Sequence, residues 1–346
     1  ADFLWDKGST LDKIVLNLNN RGFDLLTIFD SLKWGITKSD NTNPSYTEVA
    51  KALWTSEIID DARQLADLLW DEGASQQQIG QAMKYLGFSL ETIADAVKRG
   101  VTKSDETGLN TVDVAIAIWN SGYSGADGLD SRKLADLLWD NGATPIAIGR
   151  AMKYLGLSLE NIADAVKWGI KKIDGTSLDY HQVAEALWNS GYTGADGLNS
   201  RKLADLLWDN GASQQKIGQA FDYLDLSLEI IADAILDGVT QSDGTGLNYI
   251  DAAIALWDSG HGIESRKLAD LLWDEGVSQQ EIGQAFKYLG LSLENIADAM
   301  DDGVTNSDGT KLNYIDVAIA LWNSGYSLDT RNLAGLLWNE GASQAN

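Results

Sequence analysis

Cysteine is absent from the 346 residues, and histidine and proline nearly so, with two of each (His181 and His261; Pro44 and Pro145). A chain without thiols forms neither disulfides nor thiolate metal centres. The two histidines fall at unrelated places, and no GxSxG, Walker-type or HExxH run occurs. Carboxylates abound without a distinguishable catalytic pair, so the sequence predicts a protein that is not an enzyme. Basic residues are scarce, 26 lysines and arginines against 51 aspartates and glutamates, for a net charge of −25. Such a field repels phosphate backbones and argues against nucleic acid as a partner. No window reaches the roughly 18 uninterrupted apolar residues of a membrane helix, so no membrane insertion is expected. The sequence begins within a repeat and without methionine, which predicts a processed form or a fragment.

What is present is repetition. Segments 65–133, 134–202, 203–267 and 268–332 each open on a variant of LADLLWD and continue in nearly the same order. Residues 1–64, opening ADFLWDKG, form a diverged first copy, and 333–346 a partial terminal one. No proline- or serine-rich linker separates them. Self-similarity at a long fixed period means one supersecondary unit stacked on its neighbours, each completing its core against the next.

Within the copy at 65–133, Leu65, Leu68 and Leu69 make the i, i+3, i+4 stripe of a first helix ending before Gly73. A second helix opens at Ser75 with Ile79, Ala82 and Met83 on one face. A third opens at Ser89 and ends at Gly100. After the loop VTKSDETGLN, the fourth, TVDVAIAIW, is apolar nearly all round, as a buried helix is. Ser75 with Gln78, and Ser278 with Glu281, have capping-box spacing; Lys216 cannot close a box with Ser213, and Pro145 follows Thr144 at a first helical position. Small residues at matched positions, such as Ala66 and Gly80, predict close helix approaches. The fold class that follows is all-α: an α-solenoid, a superhelical array of four-helix repeats of 65–69 residues.

Three features invite functional readings. The loop before the fourth helix carries Asp40, Asp105, Asp174, Asp243 and Asp308, oxygens that would suit Ca2+. Its spacing fails the EF-hand pattern, however, and Ser45, Asn110, Asp179, Asn248 and Asn313 stand where helix caps belong, each with Glu, Asp or Gln three residues on. Capping is therefore the stronger expectation. Tryptophan recurs at the ends of first helices (Trp5, Trp70, Trp139, Trp208, Trp273, Trp338) and fourth helices (Trp54, Trp119, Trp188, Trp257, Trp322), while Trp34 and Trp168 end third helices. The rings are expected to close the core; a row of them exposed would favour a polysaccharide. The helix-turn-helix rhythm of LLWDEGASQQQIGQAM lacks the basic footprint of a DNA reader.

Copies differ chiefly in the join before the first helix, thirteen residues at 121–133 and 190–202 but nine at 259–267. Asp127, Leu129, Asp196 and Leu198 lie there as candidate contacts, since insertions gather on one face of a solenoid. The terminal helices retain the internal apolar pattern, so Phe3, Leu4, Leu333, Leu336 and Leu337 are candidates for self-association. The expected function is structural: a self-assembling or spacer repeat of a bacterial cell surface, extracellular filament or adhesin. The alternative is a non-enzymatic binding scaffold for a polysaccharide or peptide.

Overall fold

The protein is all-α and built of repeated helix quartets, an α-solenoid of helical repeats. The computed structural model describes residues 1–103, 106–192, 198–240, 245–306 and 309–343. Two compact units divide the chain, Ala1–Leu178 and Asp179–Asn346.

The first unit runs α1 (Asp2–Asp6), α2 (Leu11–Asn20), α3 (Leu25–Lys33), α4 (Tyr46–Thr55), α5 (Ala62–Asp71), α6 (Gln76–Tyr85), α7 (Leu90–Asp95), α8 (Thr111–Trp119), α9 (Ser131–Asp140), α10 (Pro145–Tyr154) and α11 (Leu159–Asp164). The second runs α12 (Tyr180–Trp188), α13 (Ser200–Asp209), α14 (Gln214–Tyr223), α15 (Leu228–Asp233), α16 (Tyr249–Trp257), α17 (Ser265–Asp274), α18 (Gln279–Tyr288), α19 (Leu293–Asp298), α20 (Tyr314–Asn323) and α21 (Thr330–Asn339). In each unit the second and fourth helices of successive repeats alternate as a spine: α2, α4, α6, α8 and α10 in one, α12, α14, α16, α18 and α20 in the other. First and third helices pair beside it, as α5 does with the turn that ends α7.

Local chemistry accounts for the helix ends. Ser75 with Gln78, and Ser278 with Glu281, close their capping boxes, Ser213 caps without a box, and Pro145 sits at a first helical position behind the Thr144 cap. First helices end in left-handed glycines such as Gly73 and Gly276.

Glycine serves a second purpose in the spine. A Cβ on Gly80, Gly218 or Gly283 would overlap the carbonyl oxygen of Ala117, Ala255 or Ala320 on the fourth helix of the same repeat. Backbones therefore touch where sequence pairs small residues, while Ile79, Met83, Val114 and Ile118 fill the space around them, all at most 1% exposed.

The third helices hold a feature that periodicity does not reveal. In four repeats they end in a π-helical turn, Ala96–Gly100, Ala165–Gly169, Ala234–Gly238 and Ala299–Gly303. The closing glycine meets the backbone of the first helix: a Cβ on Gly100 would lie 2.7 Å from the Arg63 Cα, and Gly169, Gly238 and Gly303 face Arg132, Arg201 and Arg266 in the same way. Gly100 therefore ends its helix by permitting close approach, without positive φ.

Candidate functional site

The acidic loops around Asp40 and Asp174 are turns, and all five loops lead into capped helices. Single antiparallel bridges close four of them, Thr102 to Gly108, Lys171 to Ser177, Thr240 to Gly246 and Thr305 to Lys311. Asp40 accepts from the Thr42 amide (3.0 Å) and hydroxyl (2.6 Å), and Asp174 from those of Thr176 (2.9 and 2.6 Å). These hydrogen bonds hold both carboxyls below the ordinary range. Ser45, Asn110, Asp179 and Asn248 close capping boxes with Glu48, Asp113, Gln182 and Asp251, and Asn313 caps α20. Asp105, Asp243 and Asp308 lie outside the described residues. Among the described residues no group of three or more histidine, aspartate or glutamate side chains could hold a metal ion. No helix among them is long and apolar enough to cross a membrane.

Four tryptophans are exposed, Trp34, Trp168, Trp322 and Trp338; the other nine are half-buried. Trp54 stands edge-on to Phe88 at 4.7 Å, closing one repeat on the next. Trp34 and Trp168 lie under lysines, with Lys33 Nζ 4.5 Å and Lys167 Nζ 5.4 Å from the ring centroids. The regular exposed aromatics are tyrosines instead: Tyr85, Tyr154, Tyr223 and Tyr288, each closing a second helix.

The join candidates have structural duties. Leu129 and Leu198 are buried. Asp127 accepts from the Ser124 amide and hydroxyl, both at 3.1 Å, and faces Lys84 at 3.5 Å. Asp196 lies outside the described residues.

Spacing also conceals an ion-pair ladder. Arg63, Arg132, Arg201 and Arg266, near the start of first helices, each make a two-pronged bond to an aspartate 32 residues on at the end of the third: Asp95, Asp164, Asp233 and Asp298. The Arg63 fork measures 2.7 and 3.1 Å. The bond from Arg201 draws the Asp233 carboxyl below its ordinary range. Recurrence of arginine two residues before the leucine of LADLLWD, in ARQ once and SRK three times, with aspartate in IAD, is the sequence signal for it.

At the C-terminal end α20 is uncovered. Ile315, Ile319 and Trp322 are 65%, 37% and 49% exposed, although Ile250, Ile254 and Trp257, their counterparts on α16, are half-buried beneath α18. Among the terminal candidates Phe3 is 72% exposed, Leu4, Leu333 and Leu337 are half-buried and Leu336 is buried. Near the other end, Trp5, Asp12, Thr47, Lys51, Thr55 and Tyr85 line a groove of about 660 Å3.

Comparison with protein-family models, curated proteins and solved structures finds no match.

Proposed function

We propose that the chain is a non-enzymatic structural repeat that associates end to end, a spacer or filament component at a bacterial cell surface or outside the cell. The observation that carries this reading is the contact by which successive repeats join, an apolar fourth helix against the second helix of the repeat that follows, α8 against α10 and α16 against α18. The apolar stripe is Val112, Ile116 and Trp119 on α8 and Ile250, Ile254 and Trp257 on α16, and Ile315, Ile319 and Trp322 repeat it on α20; α4 and α12 keep only its tryptophan, with Thr47 and Lys51 or His181 and Glu185 beside it. A second copy of the chain, whose α2 is a second helix of the same kind, is the occupant proposed for α20. The acidic surface and absence of cysteine suit the compartment proposed.

Substituting Ile319→Glu tests it, because the side chain is exposed and its change should leave the monomer folded. The expected result is unchanged helicity by circular dichroism with loss of the larger species in sedimentation velocity. Equal assembly by the variant would remove α20 from the account.

The groove beside Tyr85 favours a second reading, a polysaccharide-binding scaffold. Its indole and phenol rings, threonine hydroxyls, Asp12 and Lys51 combine apolar faces with hydrogen-bonding groups in the manner of a sugar site. A shift of tryptophan fluorescence on titration with an oligosaccharide, abolished by Tyr85→Ala, would support it; no shift at millimolar sugar would count against it.

A further inference from the structure

The residue before the closing glycine of the third helix divides the repeats. It is Trp34, Arg99 and Trp168 in the first unit and Asp237 and Asp302 in the second. In four of the five copies it sits in the same π turn, with the same approach of the glycine to a first helix. The backbone thus holds this place whether the side chain is indole, guanidinium or carboxylate, and the fold does not call for tryptophan. Asp237 and Asp302 act within the molecule, reaching the fork arginines Arg201 and Arg266 at 3.0 and 3.2 Å. Trp168, in the third repeat, is instead 41% exposed and Trp34 55% exposed, large apolar rings whose burial would be favourable.

These rings are held in place. Lys167 and Lys33 are buried, and their ammonium groups lie against the indoles, Nζ 5.4 and 4.5 Å from the ring centroids. The same ammonium groups donate to the Leu178 and Pro44 carbonyls at the end of the following loop. A buried cation anchored in this way takes one face of each ring and leaves the other toward solvent. Lysine and flat side chain also disappear together, since Leu236 and Asp301 precede Asp237 and Asp302. Between the two tryptophans in the series, Arg99 has a side chain 57% exposed, its guanidinium 3.4 Å from Asp95, and Lys98 before it donates to the Leu109 carbonyl. After each tryptophan the loop turns through an exposed aspartate and threonine, Asp40 with Thr42 and Asp174 with Thr176.

We propose that the third-helix edge of residues 1–178 binds an uncharged polysaccharide, whose sugar rings stack on the outer faces of Trp34 and Trp168 while Arg99 and the aspartate–threonine turns meet its hydroxyls. A flat aromatic face with hydrogen-bonding groups on the adjoining loop complements a pyranose ring, which is apolar on its faces and polar at its rim. Nucleic-acid bases would stack there too, but the net charge of −25 opposes their phosphate backbone, and opposes a polyuronate likewise. Flat groups in three successive repeats suit an extended chain more than a single sugar. The proposal is independent of end-to-end association and shares with the groove beside Tyr85 only the class of ligand, at residues which that groove does not include.

Tryptophan fluorescence and titration calorimetry of the full chain, with neutral hexasaccharides of glucose, mannose, galactose and N-acetylglucosamine, test it. At least one hexasaccharide should bind, about tenfold or more tightly than its monosaccharide. Trp168→Ala and Trp34→Ala should each weaken that binding about tenfold with helicity unchanged, Trp168→Phe should restore much of it, and Tyr85→Ala should leave it intact. Binding that Tyr85→Ala abolishes and the tryptophan substitutions spare would overturn this face and sustain the groove. Binding confined to a polyuronate or to single-stranded DNA would overturn the proposed ligand. No binding of any hexasaccharide at millimolar concentration would overturn both sugar sites and leave end-to-end association standing.

Discussion

Residues 1–178 carry 18 basic and 25 acidic side chains, a net of −7, whereas residues 179–346 carry 8 and 26, a net of −18. The two units nevertheless use the same helices, the same caps and the same glycine contacts. The difference concentrates where the third helix turns. Lys33 and Lys98 send their ammonium groups to the carbonyls of Pro44 (2.9 Å) and Leu109 (2.8 Å), and Lys167 does the same to Leu178. Burial pulls the Lys33 ammonium below its ordinary range, with Glu48 opposing. In the second unit Leu236 and Asp301 occupy the lysine's place, and the neighbouring position, Trp34, Arg99 and Trp168 earlier, becomes Asp237 and Asp302. The repeat is thus held by backbone contacts, caps and apolar filling, and charge at its edge is free to vary.

That conclusion breaks most readily at the spine. Gly80→Ala in the first unit and Gly218→Ala in the second should each cost about 3 kcal/mol, since the new methyl meets a carbonyl that cannot yield without moving a helix. Denaturant titration followed by circular dichroism measures both. A unit that tolerates its substitution would show that its spine is not set by glycine.

A smaller effect separates the units. Lys98→Met leaves the Leu109 carbonyl without its charged donor and should cost about 1–2 kcal/mol. Leu236→Met, at the matching place, should change stability by less than about 0.5 kcal/mol. Equal losses in the same titration would erase the contrast.

The smallest expected effect is one of pH. Burial first, then the charges of Asp233 and Asp237, push the Glu275 carboxyl up. Its folded form therefore holds a proton to higher pH than its unfolded form, so this group lowers stability as pH rises through its folded pKa and restores it on acidification toward the ordinary glutamate range. Glu275→Gln should accordingly raise the thermal midpoint slightly near pH 7 and leave it unchanged near pH 4. A midpoint raised equally at both would assign the gain to something other than charge.

How much could be read in advance follows from the range of each interaction. Ser75, Thr144 and Asn110 act on amides three residues away, so their spacing alone announces the caps; Ile79 and Met83 declare a buried face by period. The pairing of Arg63 with Asp95 spans 32 residues and two helices, so nothing local marks it, although its recurrence in every full repeat does. The π turns escape periodicity: the matching segment at the end of α3, with Ser31 and Leu32 in place of Ala96 and Val97, stays α-helical to Lys33. The apolar pattern points to the terminal first helices for self-association. Ile315 and Trp322 on α20 and Trp338 on α21 are exposed while Leu333 and Leu337 are half-buried, because exposure depends on packing beyond the residue's own helix.

End-to-end association is most directly tested by the solution mass of the unmodified chain, measured by light scattering across a dilution series. Mass rising with concentration through multiples of 37.5 kDa is the predicted result. A mass fixed at one chain, at every concentration, would contradict it.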